Sequence, residues 1–329
     1  MWELAIPLHA PFVNAGSRIT ERRVALVAVT DGDATGWGEA APYPGVTPDT
    51  VDDAWRTLER GSVLSPTAAA AVDEASADLS ARRAGVPLWQ AIGGTARAVP
   101  TSIAVGLGED PVERLTATGA DGIKLKIRPG DALDRVAAVL GLAPDVPVGV
   151  DANGAYRWDA RDDLLALDAM GVAYLEQPFP AGDLDAHARL RDEVVAPVVL
   201  DEPIDSRAAA IRAIEAGACD VVTVKPARLG ITDARAVHDI ALAAGLRTKV
   251  SGLVETHVGR AHARAVASLP GTAFSDIGDA SWFLAGRVGE PGLCVAEVGS
   301  APGIGFTPDP GVFAAYVVRE SVLGSRIWD

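Results

Sequence analysis

Lysine is scarce in this chain. The 329 residues hold four, Lys124, Lys126, Lys225 and Lys249, against twenty-five arginines. Cysteine is scarcer still: Cys219 and Cys294 make no disulfide framework and suit a reducing compartment. Positive charge is in deficit overall. A formal net charge of -15 leaves no basic patch to neutralise phosphates, which argues against a nucleic-acid partner or an anionic membrane surface. No apolar run approaches the roughly 20 residues that a membrane span requires. Glu3 and His9 interrupt the N-terminus, so no signal-peptide pattern is present. These absences lead to the expectation of a soluble, cytoplasmic protein. A small anionic substrate stays open, because a few lysines in a pocket set the local field. Oligomeric state has no legible code.

What is present falls into two styles. Residues 1 to about 40 read as a β-meander: Arg23–Val29 is a strand, Asp31-Gly32-Asp33 a turn, and Gly36-Trp37-Gly38-Glu39 extended. Ala41-Pro42-Tyr43-Pro44-Gly45 cannot be helical. A helix is expected from Thr47, as cap, to about Arg60, and a second from about Thr67 to Arg83. From Val99 onward, apolar runs alternate with helical stretches. The runs are 99–105, 122–127, 146–150, 172–175, 197–200, 221–224, 247–250 and 272–274. Eight strands at this period span about 200 residues, the arithmetic of a (β/α)8-type barrel. An open doubly wound sheet fits less well, because its Gly-rich phosphate turn is missing. The expected α/β organisation is an α+β capping domain, 1–96 completed by 300–329, on a barrel of 97–299.

A spacing carries the chemistry. Lys126, Asp151, Glu176 and Asp201 stand 25 residues apart, and Lys225, Ser251 and Asp276 continue the series within one residue. Each closes an apolar run, and strand ends on one barrel face converge on a single mouth. One acidic residue after a strand is usually a helix cap. Asp151, Glu176 and Asp201 in equal register would repel one another without a cation between them, and oxygen donors favour Mg2+. In Gly122-Ile123-Lys124-Leu125-Lys126-Ile127 the period-2 pattern puts Lys124 and Lys126 on one face. Lys225 ends the sixth run and would either enter the mouth or pair with Asp201. A second cation and a metal nearby both disfavour the ammonium form, which would lower lysine pKa values and make a lysine a usable base. Lys249 is expected to be structural.

Lys124-x-Lys126, Asp151-x-Asn153, Glu176-Gln177-Pro178, Asp201-Glu202-Pro203 and Lys225-Pro226 resemble the muconate lactonizing enzyme subgroup of the enolase superfamily. The resemblance covers essentially the whole chain, and its motifs are specific as a set and weak singly. Within the subgroup, 36–45 and Ser251-Gly252-Leu253-Val254-Glu255-Thr256 are most similar to the o-succinylbenzoate synthase family of menaquinone biosynthesis. That family dehydrates a cyclohexadiene carboxylate bearing a succinyl arm (SHCHC). The resemblance implies Mg2+ on Asp151, Glu176 and Asp201, with Asn153 supporting them from behind. It implies Lys126 as the base, Lys225 as charge stabiliser on the opposite face, and Lys124 tuning Lys126. Ser251 and Gly252 would contact the succinyl arm. Roughly Phe12–Glu21 and the segment near Asp276 would shape the pocket.

Racemases of N-acylamino acids, dipeptide epimerases and cycloisomerases of the subgroup would use the same lysines and metal. An epimerase usually carries Asp-x-Asp after the eighth strand, whereas Asp276-Ile277-Gly278-Asp279 is one residue too long. A mandelate racemase-type enzyme would want a histidine base near the seventh strand, and His257 lies too far along, in an expected structural role. A barrel that merely binds an acid would have lost a ligand or a lysine, and none is missing.

Overall fold

The computed structural model describes residues 1–61, 65–289 and 300–323. Alternating burial in the N-terminal segment builds an antiparallel meander: β1 (Trp2–Val13), β2 (Arg18–Asp31) and β3 (Ala34–Ala40). Helices α1 (Val51–Arg60) and α2 (Pro66–Arg83) cover it. Gly38 is required by that covering, since a Cβ there would run into the Ala71 carbonyl of α2. The first helix starts later than Thr47. The Thr47 hydroxyl is occupied by the Tyr43 N–H at 2.8 Å, while Thr50 and Asp53 form a reciprocal capping box.

A second sheet is parallel and runs in chain order. It comprises β4 (Ser102–Val105), β5 (Gly122–Lys126), β6 (Val148–Asp151), β7 (Tyr174–Glu176), β8 (Val198–Leu200), β9 (Val221–Val224) and β10 (Arg247–Val250). After the short α3 (Leu88–Ala91), helices alternate with these strands. They are α4 (Pro111–Thr118), α5 (Ala132–Leu142), α6 (Arg161–Ala169), α7 (Leu184–Glu193), α8 (Arg207–Glu215), α9 (Pro226–Ala243) and α10 (His257–Ala267). The strands are buried almost throughout, as strands covered by helices must be.

The run 272–274 does not form the expected eighth strand. It follows Pro270-Gly271 and is interrupted by a bend at Phe274, and Thr272 makes an isolated bridge instead of a ladder. Isolated bridges still close the barrel: Thr272 pairs with Thr248, Asp276 with Ser251 and Ser275 with Thr101. After α11 (Pro310–Phe313), β11 (Val317–Glu320) returns to the first sheet and pairs antiparallel with β1. The result is a modified (β/α)8-type barrel with an antiparallel α+β cap. Cys294 lies outside the described residues; Cys219 is a buried free thiol.

Candidate active site

Strand register assembles the site. Lys126 pairs with Asp151 and Asp151 with Glu176 across β5, β6 and β7, so the three side chains lie at one level of the barrel. Asp201 follows β8, Lys225 follows β9 and Ser251 follows β10. Sharp turns after the acids fix this level: Asn153 and Gln177 adopt φ of 45° and 41°. Gln177 braces the neighbouring strand end, its Oε1 accepting the N–H groups of Asp201 and Glu202 at 3.0 and 3.2 Å. Carboxylate oxygens of Asp151, Glu176 and Asp201 lie within 4.8 Å of one another, and all three residues are buried. Such a group could hold a metal ion.

The lysines surround this triad. Lys126 Nζ donates to Asp151 Oδ2 at 2.6 Å and to Asn153 Oδ1 at 2.9 Å. Asn153 in turn donates to Glu202 Oε1 at 2.8 Å. Lys225 enters the mouth and pairs with Asp201 at 2.8 Å, with Ser251 Oγ at 3.4 Å and the Gly252 carbonyl at 3.5 Å. Both readings of Lys225 therefore hold. Lys124 reaches Glu176 Oε1 at 3.0 Å, Asp151 Oδ2 at 3.2 Å and Asp276 Oδ2 at 2.6 Å.

Electrostatics corrects one expectation. A lowered lysine pKa does not describe Lys124. Burial disfavours its charge, but Asp276, Glu176 and Asp151 more than compensate and hold the ammonium well above the ordinary lysine range. Burial likewise opposes ionisation of Asp151, yet Lys126 and Lys124 keep its carboxyl below the usual range. For Glu176 burial prevails over Lys124 and Lys249, and its pKa rises. Glu202 is pushed up to about 7 by burial and by the charges of Asp201 and Asp151.

Above these groups opens a pocket. Lys124, Lys126, Asp201 and Lys225 form its floor, and Ser251, Gly252 and Val254 one wall. Phe12, Asn14, Tyr43 and Val46 line it from the first sheet and its loops. Gly252 has no room for a side chain, because a Cβ would strike Glu255 Oε2 and Arg260 Nη1.

Sequence reasoning left several members of this cluster without a role. Lys249, buried and set aside as structural, contacts Glu176 Oε2 at 2.5 Å, Asp276 Oδ2 at 2.7 Å and the Tyr174 hydroxyl at 2.9 Å. Asp276 joins two lysines and the Ser102 hydroxyl. Its place in the 25-residue series was the available signal. Gln177 and Glu202 stood inside quoted motifs. His257 opens α10, buried and 3.6 Å from Asp279, away from the lysines.

Comparison with known proteins decides the family. Residues 2–93 match the mandelate racemase/muconate lactonizing enzyme N-terminal domain, and residues 109–312 match the enolase C-terminal domain-like family. The chain belongs to the enolase superfamily. Among its relatives in that superfamily, an o-succinylbenzoate synthase of Geobacillus kaustophilus is 33% identical over 93% of this chain and 92% of its own. An N-succinylamino acid racemase of Amycolatopsis is 30% identical over 98% of this chain and 96% of its own. The structure of a dipeptide epimerase from Enterococcus faecalis, complexed with Mg and L-Leu-L-Tyr, superposes with a TM-score of 0.84 at 25% identity. That match covers 93% of this chain and 99% of the epimerase. The superfamily assignment is that of an enzyme. No described helix is long and apolar enough to cross a membrane.

Proposed function

We propose that this enolase-superfamily chain is an o-succinylbenzoate synthase, which dehydrates SHCHC to o-succinylbenzoate in menaquinone biosynthesis with the help of Mg2+. The observation that carries the chemistry is the flanking of one carboxylate triad by Lys126 and Lys225. The likeness to named o-succinylbenzoate synthases supports the choice of reaction. The cap (1–96 with 300–329) closes the mouth of the barrel (97–299).

The residues fit the metal. Asp151, Glu176 and Asp201 offer hard oxygen donors, and Asp201 Oδ1 is buried without a hydrogen-bond partner among the described residues. When bound, the ion would anchor the substrate carboxylate and stabilise the negative charge that develops there. The rest falls to the chain. Lys126 Nζ takes the proton from the carbon next to the carboxylate, and electrons move into an enediolate. Lys225, fixed by Asp201, holds positive charge against that enediolate from the other side. The leaving hydroxyl receives the proton from Lys126 and departs as water, so proton and oxygen balance. Asn153, oriented by Glu202, steadies the Lys126 ammonium between these transfers. Lys124 tunes Lys126, and Ser251 and Gly252 contact the succinyl arm.

Racemisation of N-succinylamino acids needs the same carboxylate, ion and lysine pair, and the Amycolatopsis relative carries that name. The deciding experiment incubates purified protein and Mg2+ with SHCHC, N-succinylamino acids and dipeptides in parallel. Rapid dehydration abolished by EDTA is the expected result. Racemisation or epimerisation without dehydration would move the protein to the other side of the subgroup.

A further inference from the structure

The mouth has two walls from different parts of the chain, and one buried guanidinium joins them. Arg22 lies in β2 at 2% exposure. Its three hydrogen bonds all go to backbone carbonyls: Nη1 to Pro42 at 2.8 Å, Nη2 to Ala41 at 3.2 Å, and Nε to Val254 at 3.2 Å. Pro42 leads into Tyr43, which lines the pocket and lies under the guanidinium at 5.2 Å. Val254 also lines the pocket, directly after Ser251, Gly252 and Leu253.

Val254 is also strained. It is β-branched yet has a φ of 58°, a conformation such residues adopt only when their surroundings impose it. Constraint comes from both sides of the turn. The Leu253 N–H donates to Glu255 Oε1 at 2.5 Å, and Glu39 of β3 accepts from Thr256 N and Gly259 N at 2.9 and 3.0 Å. Arg22 holds the strained residue itself. A buried charge that spends its donors on carbonyls is costly unless the geometry it enforces is needed.

We propose that Arg22 is a positioning residue that fixes the separation between the Tyr43 loop and the Val254 turn, and so selects the arm of the substrate carried between them. The proposal deepens the functional reading above and rests on it for the substrate. Among the described residues no hydrogen bond or ion pair joins Arg22 to the four lysines or to Asp151, Glu176 and Asp201, so its effect falls on binding of the arm and spares proton transfer.

The test uses full-length Arg22→Met and Arg22→Lys protein with Mg2+. For Arg22→Met, KM for SHCHC should rise roughly tenfold or more with kcat nearly unchanged, the pattern of lost binding shared by ground and transition states. Arg22→Lys, keeping the charge but not the three-way fork, should fall between. Mg2+ affinity by calorimetry should stay within about twofold for both, since no ligand is touched. Amide hydrogen exchange across 251–256 should quicken in both variants. Unchanged KM, or kcat and Mg2+ affinity falling together with KM, would overturn the proposal. If wild-type protein dehydrates no SHCHC, the functional reading fails instead, and hydrogen exchange still decides whether Arg22 holds the turn. Should Arg22→Met not fold, the KM-against-kcat split of Arg22→Lys decides.

Discussion

At the scale of single residues, the site is a balance of buried charges. Lys124, Lys126, Lys225 and Lys249 face Asp151, Glu176, Asp201 and Asp276, and removing one member strands its partners. Asp201→Asn should weaken Mg2+ binding by roughly tenfold or more, measured by calorimetry, because a neutral amide replaces a ligand charge. Unchanged affinity would remove Asp201 from the ligand set. Lys225→Arg keeps charge but widens the cation. Its kcat should fall by about 10²-fold, the usual cost of a displaced catalytic group, and full activity would reduce Lys225 to an ion pair. These residues were legible because chemistry leaves a type and a place in the chain: lysine is rare, and the acids fall at equal intervals. Lys249 and Asp276 were not legible as a pair. Their meeting with Glu176 needs the barrel to be closed, and spacing alone does not state which side chain reaches which oxygen.

At the scale of elements, the strands announced themselves more clearly than their ends. Apolar runs located β5 to β10 within a residue or two, since a strand buried on both faces has a simple composition. The run 272–274 had that composition too, but neighbouring proline and glycine limit it to bridges. The start of α1 was misread because Thr47 and Thr50 are both cap residues by type, and the choice depends on the Tyr43 N–H. The contact between β3 and α2 carries a pH prediction. Glu74 is fully buried, and its Oε2 accepts the Glu39 N–H at 3.0 Å. Burial raises its pKa well above the ordinary value of 4.5, with only partial relief from that hydrogen bond. A carboxyl raised on folding stabilises the protein below its unfolded pKa, and this contribution is lost as pH rises through the folded value. Glu74 should therefore contribute a loss of stability to metal-free protein as pH climbs above about 5. Glu74→Gln, which keeps the acceptor, should flatten that decline in denaturant titrations run across pH. An equal slope in both proteins would contradict the assignment.

At the scale of the whole molecule, the division of labour runs between cap and barrel. The barrel supplies the lysines and carboxylates, with Lys126, Asp151, Glu176, Asp201 and Lys225 at or just after strand ends. The cap supplies Phe12, Asn14, Tyr43 and Val46, and it grips the barrel loop through Arg22 and Glu39. The convergence of lysines and acids was readable in sequence because the barrel brings a strand end to the mouth about every 25 residues. The link between the Tyr43 loop and the Val254 turn was not, because it joins segments more than 200 residues apart. In the proposed reaction Lys126 moves the proton. That role is tested most directly by SHCHC turnover in wild-type and Lys126→Ala protein at saturating Mg2+, with ion binding measured on both. The variant should bind Mg2+ and lose about 10²- to 10⁴-fold in kcat, the contribution of a positioned general base. Turnover retained by Lys126→Ala would contradict that role.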